Sequence, residues 1–260
     1  MMKKSAMAGV LLAIAGIAVG LVLDGGHIGQ MVQPTAALIV FGGTLGAVMI
    51  QFPLETVLQS FVELREVFLG SEDPAPQLIT DLARYTLQAR RNGILSLDKE
   101  LAPIKNSFLQ KCLTYAVDGI HADELRQTME LEMDAAADKE DALSLVFQAA
   151  GGFAPTIGIL GAVIGLIQVM QRLGNINEVG RGIAVAFVAT IYGVGAANLF
   201  FLPCSGRIRA MMHRRRVLRE LILEGVLGII EHENPRSLEK KLSVYLHEPQ
   251  AAAQAAMVAQ

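Results

Sequence analysis

The sequence predicts an all-α, polytopic membrane protein with four transmembrane helices and a helical cytoplasmic domain. Two observations carry that prediction: where charge is missing, and where Lys and Arg gather. Of the 260 residues, 52% are hydrophobic and only 18% are charged. Residues 5–23, 34–54, 142–171 and 182–206 carry no charge, and charge is dense elsewhere. About 20 apolar residues cross a bilayer core as a helix, and each stretch has roughly that length or more. Lys3 and Lys4 precede the first stretch; Arg207, Arg209, Arg214, Arg215, Arg216 and Arg219 crowd behind the fourth. Basic residues beside membrane ends stay in the cytoplasm. Both termini and the long segment between spans two and three are therefore expected there.

Span one is expected over 5–23. Lys3 and Lys4 could open a secretory signal, but the apolar run is too long for one. No small-x-small cleavage site precedes Asp24, so the helix is read as retained. A periplasmic loop at 24–33 leads to span two at 34–52. The cytoplasmic helical domain is expected over 53–146. Within it, Ser71-Glu72-Asp73-Pro74-Ala75-Pro76 is a breaker. Leu78, Leu82, Tyr85, Thr86 and Ala89 recur at helical spacing up to Asn92-Gly93. A further helix starts near Leu97, and Leu125, Met129 and Met133 lie on another. Span three covers 147–171, a second periplasmic loop 172–181, and span four 182–203. Residues 204–260 read as a helix over 207–231, a break at Glu233-Asn234-Pro235, a short helix and an Ala/Gln-rich tail at 251–260. The third charge-free stretch would be about 45 Å long as a helix. Its apolar character must continue beyond the membrane, as a bundle core or as a shaft that carries force.

Composition excludes several functions. No basic domain with interleaved aromatics supports nucleic-acid binding. Cys112 and Cys204 form neither a disulfide framework nor a metal spacing. No nucleophile–base pair or phosphate-binding loop appears, so the chain is not read as an enzyme, and no cofactor is expected. Small residues recur four apart, at Gly16 and Gly20, Gly42 and Gly46, Gly161 and Gly165, and Ala189, Gly193 and Ala197. That spacing lets backbones approach closely in lipid, within the chain or between copies. The spans hold no Asp, Glu, Lys, Arg or His at mid-membrane depth. Proton relays in bilayers use such groups, so any ion pathway needs a carboxylate from a partner helix. Of the few polar groups there, the threonines are expected to bond back to their own helix carbonyls. Pro155 and Pro203 each free one carbonyl.

The segment Pro34-Thr35-Ala36-Ala37-Leu38-Ile39-Val40-Phe41-Gly42-Gly43-Thr44, with Phe52-Pro53, resembles the second span of the MotA/PomA flagellar stator family. Gly151-Gly152-Phe153-Ala154-Pro155-Thr156-Ile157-Gly158 resembles the third span. Gly182-Ile183-Ala184-Val185-Ala186, Thr190-Ile191-Tyr192-Gly193, Ala197-Asn198 and Leu202-Pro203 resemble the fourth, and Asn234-Pro235-Arg236 a tail signature. The resemblance covers about 8–242. It implies a bacterial inner-membrane stator of five copies around two MotB-like partners, whose transmembrane Asp binds the ion. It also implies torque on the rotor protein FliG. Pro155 and Pro203 then stand for the prolines coupling ion passage to conformational change, and Thr190 for the threonine near the ion. Arg90, Arg91 and Asp98 stand for charges that touch the rotor, although Lys99 departs from the family pattern. Sodium-driven members carry Thr where this chain has Ala162, and often two Thr before Tyr-Gly, where Ala189 and Thr190 precede Tyr192. The transported ion is therefore expected to be H+ rather than Na+. The alternative is an energising subunit of a related envelope machine of the TolQ/ExbB or gliding type, with no rotor.

Overall fold

The computed structural model describes residues 2–69, 74–171, 173–174 and 176–246, and every regular element among them is helical. Ser71 to Asp73 of the breaker, Arg172 and the 251–260 tail lie outside the described residues. In chain order the α-helices are α1 (Met2–Leu23), α2 (Pro34–Ala37), α3 (Gly43–Gln51), α4 (Leu54–Leu69), α5 (Ala75–Asn92) and α6 (Asp98–Leu101). They continue as α7 (Ser107–Val117), α8 (Ala122–Gln171), α9 (Ile176–Ala196), α10 (Leu202–Ile230) and α11 (Pro235–Ser243). A π segment, Leu38–Gly42, joins α2 to α3, and another, Ala197–Phe201, joins α9 to α10. Three helical runs are long and apolar enough to cross a membrane: Pro34–Gln51, Ala122–Gln171 and Glu178–Ile230. A shorter apolar run, Leu11–Leu23, lies in α1. The chain is an all-α, polytopic membrane protein with an additional helical domain.

Local chemistry sets several boundaries. Pro34 opens α2 in the first helical turn, where its missing N–H costs nothing. Phe52 is extended (φ −123°, ψ 144°) because the ring of Pro53 disfavours helix before it, and α3 stops at Gln51. Asn106 and Asn234 cap α7 and α11 by accepting hydrogen bonds from the N–H groups of Leu109 and Arg236. Where no breaker stands, helices run on. α8 passes 146–147 without interruption, so the secondary structure has no boundary there. Pro203 does not end its helix, because α9, the π segment and α10 run continuously to Ile230. The π segment ends at Phe201, two residues before Pro203. Its wider turn accommodates a ring that would clash with the carbonyl of Leu199.

The chain divides into two compact units, Met1–Gly70 with Asp141–Arg209, and Ser71–Glu140 with Ala210–Gln260. In the first, α8 and α9 meet through small residues, and α2 with the π segment after it packs on α9 through Ala36, Val40, Val188 and Ala189. Val48, Val57, Val146 and Ala150 join α3, α4 and α8, beside Phe52, Phe153 and Phe201. The Phe61 and Phe147 rings meet edge-on at 5.4 Å. In the second unit, α5, α7, α10, α11 and the start of α8 enclose a core that includes Leu82, Leu113, Leu125, Met129, Leu221, Ile229, Leu238 and Leu242. Two glycines let helices settle there. A Cβ on Gly225 would lie 2.5 Å from Leu82, and one on Gly228 would lie 2.7 Å from Leu238.

Candidate functional site

The apolar helices carry the first group of candidate residues. Pro155 lies within α8 and cannot donate to the carbonyl of Gly151 one turn earlier. Gly151 is itself pressed against the turn that holds the other proline. A Cβ there would lie 2.6 Å from Leu202 Cδ2 and 3.6 Å from Phe201 Cβ. The two proline-bearing turns, about 50 positions apart in sequence, are thus packed on one another through a residue with no side chain. Pro155 is half-buried and Pro203 is exposed.

Toward the other end of the same helix pair, α8 and α9 touch backbone to backbone. A Cβ on Gly158 would lie 2.9 Å from the Ala189 carbonyl oxygen and 3.2 Å from Gly193 Cα. A Cβ on Gly193 would run into the Ala154 carbonyl. A Cβ on Gly161 would lie 3.0 Å from the Ala189 methyl, and one on Gly165 would lie 3.1 Å from Ala186 and from the Gly182 carbonyl oxygen. Ala189 is thus enclosed, with none of its surface exposed, while Ala162 is half-buried. Gly42 and Gly46 have open space beside them within the chain, as do Gly16 and Gly20. Gly43 takes the contact on that helix: a Cβ there would lie 2.9 Å from Ile157 Cγ2.

The polar groups on these helices are mostly used locally. Thr44 donates to Val40 O at 2.6 Å, Thr156 to Phe153 O at 2.8 Å and Thr190 to Ala186 O at 3.3 Å. Asn198 donates to Val194 O at 2.9 Å. Tyr192 differs: its hydroxyl donates to Met31 O and accepts from Gln33 N–H at 3.2 Å. Its ring lies 6.1 Å from that of Phe41. Tyr192 therefore pins the approach to α2, a bond across some 160 positions that local spacing cannot reveal. The π segments, one of which includes Phe41 and Gly42, also went unread in the sequence; such turns are frequent at functional sites.

The charged candidates lie in the second unit. Arg90 and Arg91 occupy the last turn of α5, where cations meet the negative end of the helix dipole. Arg90 donates to the Glu233 carbonyl at 3.4 Å. Asp98 opens α6, and all three side chains are exposed. Other charges in this unit are engaged in pairs: Arg126 with Glu224 at 2.7 Å, Arg219 with Glu140 at 2.6 Å, and Lys241 with Glu224 at 3.0 Å. Burial raises the Glu224 pKa, but hydrogen bonds from Lys241 and Arg126 outweigh it and hold the carboxyl below its ordinary value. Burial, with the Glu132 carboxylate, pushes the Cys112 thiol up to about 12, so it is no nucleophile at neutral pH. Among the described residues, no cluster of three His, Cys, Asp or Glu could hold a metal ion.

Two family models match the chain. One, described as the MotA/TolQ/ExbB proton channel family, matches residues 100–221. The other, motility protein A N-terminal, matches residues 7–92. The chain is 35% identical over 246 residues to motility protein A of Bacillus subtilis (strain 168), covering 94% of this chain and 91% of that one. In the solved flagellar MotAB stator complex from Bacillus subtilis, one chain matches with a TM-score of 0.87 and 34% identity, over 97% of this chain and 99% of that one. A chain of C. jejuni MotAB matches with a TM-score of 0.88 and 31% identity, over 94% and 96%.

Proposed function

The chain belongs to the motility protein A family, and from that premise we propose that it forms, with a MotB-like partner, a proton channel that turns ion-motive force into torque on the rotor protein FliG. One observation carries the reading. The apolar stretches 5–23, 34–52, 147–171 and 182–203 hold no Asp, Glu, Lys, Arg or His, yet two prolines sit in mutually packed turns among them. A carboxylate on the partner's transmembrane helix supplies the ion-binding group, and this chain supplies the moving wall. The assembly is a pentamer of this chain around a partner dimer in the bacterial inner membrane. Both termini and the charged unit are cytoplasmic, in line with the arginines from Arg207 to Arg219.

The spans are those read from sequence, 5–23, 34–52, 147–171 and 182–203. Pro155 and Pro203 let α8 and α10 yield when the partner carboxylate is protonated, and Thr190 lies near the ion. The ion is H+. A dehydrated hard cation needs several oxygen ligands, and neither Ala162 nor Ala189 offers one. Tyr192 holds the α2 entry against α9 while the wall moves. Arg90, Arg91 and Asp98 meet the rotor, where exposed charges give steering and register. The match of residues 7–92 to a motility protein model supports a motor over an envelope machine without a rotor.

The test is the swimming of a host that depends on this chain. Speed should hold in sodium-free medium and collapse with a protonophore. Pro155→Ala should abolish motility while the complex still assembles. Normal swimming with Pro155→Ala would remove its coupling role, and loss of motility on sodium removal at constant proton-motive force would reverse the choice of ion.

A further inference from the structure

One side chain ties span two to span four. Thr44, Thr156, Thr190 and Asn198 donate to carbonyls of their own helices. Tyr192 instead reaches across: its hydroxyl donates to the Met31 carbonyl and accepts from the Gln33 N–H at 3.2 Å. Both backbone groups lie between helices. Met31 ends a 3-10 turn, Ile28–Met31, and Val32 and Gln33 are extended (φ −89°, ψ 96° and φ −125°, ψ 96°). Gln33 precedes α2 and makes no side-chain cap bond.

The register shows how deep this crossing is. Tyr192 stands ten residues beyond Gly182, where the fourth charge-free stretch begins. That is about 15 Å along the helix, and helical side chains lean toward the N-terminus. Ala36 and Val40 pack with Val188 and Ala189, so α2 begins several residues inside that stretch rather than level with its start. The backbone of Met31 and Gln33 is therefore non-helical chain at apolar depth. Such chain is tolerated there only where protein satisfies its polar groups, because lipid offers them no partner. The Tyr192 hydroxyl satisfies one donor and one acceptor at once.

Beyond the tie, both spans change their winding. α2 gives way to the π segment Leu38–Gly42, and α9 to the π segment Ala197–Phe201. Helices bend at π turns. Ahead of them the two spans are held by the Tyr192 bonds, by the Ala36, Val40, Val188 and Ala189 cluster, and by the Phe41 ring against Tyr192.

We propose that Tyr192 is a positioning residue whose hydroxyl latches the outer ends of spans two and four into one clamp. The clamp stays shut through the working cycle, so bending driven by the partner carboxylate is confined to the π segments and reaches the cytoplasmic side as torque. Without the latch the ion still passes, but the bending is lost in the loop before α2. The proposal rests on the stator reading above and adds the residue that keeps ion passage and torque together.

The test uses the whole complex with Gln33→Cys as a reporter, a change that keeps the backbone N–H. Labelling by a membrane-impermeant maleimide from outside reads opening of the clamp, since Cys112 and Cys204 are buried. Tyr192→Phe removes both bonds and keeps the ring. Labelling should then rise about tenfold, the order expected when two hydrogen bonds are lost. Torque per motor unit, read from stepwise bead-assay speeds, should fall several-fold while proton flux per reconstituted complex stays near wild type. Phe41→Leu, which loses only the ring contact, should match wild type throughout. Unchanged labelling in Tyr192→Phe refutes the latch. Raised labelling with normal torque refutes the coupling role and leaves the stator reading standing. Torque and flux that fall together, in step with the amount of complex, make Tyr192 a folding residue and also refute the proposal. If Tyr192→Phe does not assemble, the reporter in the Tyr192 background decides. Its labelling should be the same with and without proton-motive force, and faster labelling with the force applied would show a clamp that opens in the cycle and would overturn the proposal. Undiminished swimming after loss of the chain would instead sink the stator reading, whatever the labelling shows.

Discussion

Between α8 and α9 the side chains withdraw: Gly158, Gly161, Gly165, Gly182 and Gly193 bring backbone against backbone or methyl. Around Leu82, Leu125, Met129 and Leu221 in the other unit, large side chains fill the space and are fully buried. Both regions are helical throughout, yet their cohesion has different sources. Lipid tails are as apolar as leucine, so burying leucine between membrane helices gains little; close van der Waals approach gains more. In water, removing apolar surface is the main driving force. The exposed surfaces follow suit. Ile50 is 90% exposed and Phe187 is 69% exposed in the first unit, whereas the second is laced with ion pairs such as Arg219–Glu140. A mutation that adds volume should therefore be worst in one region, and one that removes volume worst in the other.

The largest effect should come from Gly193→Val. Its side chain would drive into the Ala154 carbonyl, and backbone cannot move aside as a flexible side chain can. Loss of the assembled complex on a native gel, and of motility, is expected. Gly195→Val, with nothing within 4 Å in this chain, should leave the fold intact. Equal damage from both would erase the contrast on which the packing argument rests.

Next comes Leu82→Ala in the charged unit. Leu82 has no exposed surface, so a cost of about 2–5 kcal/mol is expected. Thermal unfolding of the purified complex checks it, and a shift near zero would show that this core is not what holds the unit together.

The smallest effect concerns Glu224. Its carboxyl pKa is lowered in the folded state, so it contributes stability above the unfolded value of about 4.3, and that stability is lost as pH falls through the folded value. Melting temperatures of wild type and Glu224→Gln should differ at neutral pH and converge in acid. A difference independent of pH would contradict the ion-pair origin.

Much of this was legible in the sequence, because its signals are local. The absence of charge marked the apolar helices, Asn92-Gly93 and Asn234-Pro235 marked helix ends, and the prolines were visible as residues. Partnership was harder to read. Spacing by four identifies residues on one face but not which face meets another, so Gly42 and Gly46 could not be told from Gly43 and Gly158. Tyr192 bonds to Met31 and Gln33 far along the chain. The π segments depend on how neighbouring turns fit, as at Pro203, and leave no compositional trace. Charge gives out after Asp141, yet α8 runs on, because hydropathy can change along a helix that has no reason to stop.

The central claim is that these helices form a channel wall without an ion-binding group of their own. It is tested most directly by proton flux into liposomes holding this chain alone or with its MotB-like partner. The account predicts no flux from the chain alone, flux with the partner, and none when the partner's transmembrane Asp is replaced by Asn. Flux through the chain alone, at the rate seen with the partner, would contradict it.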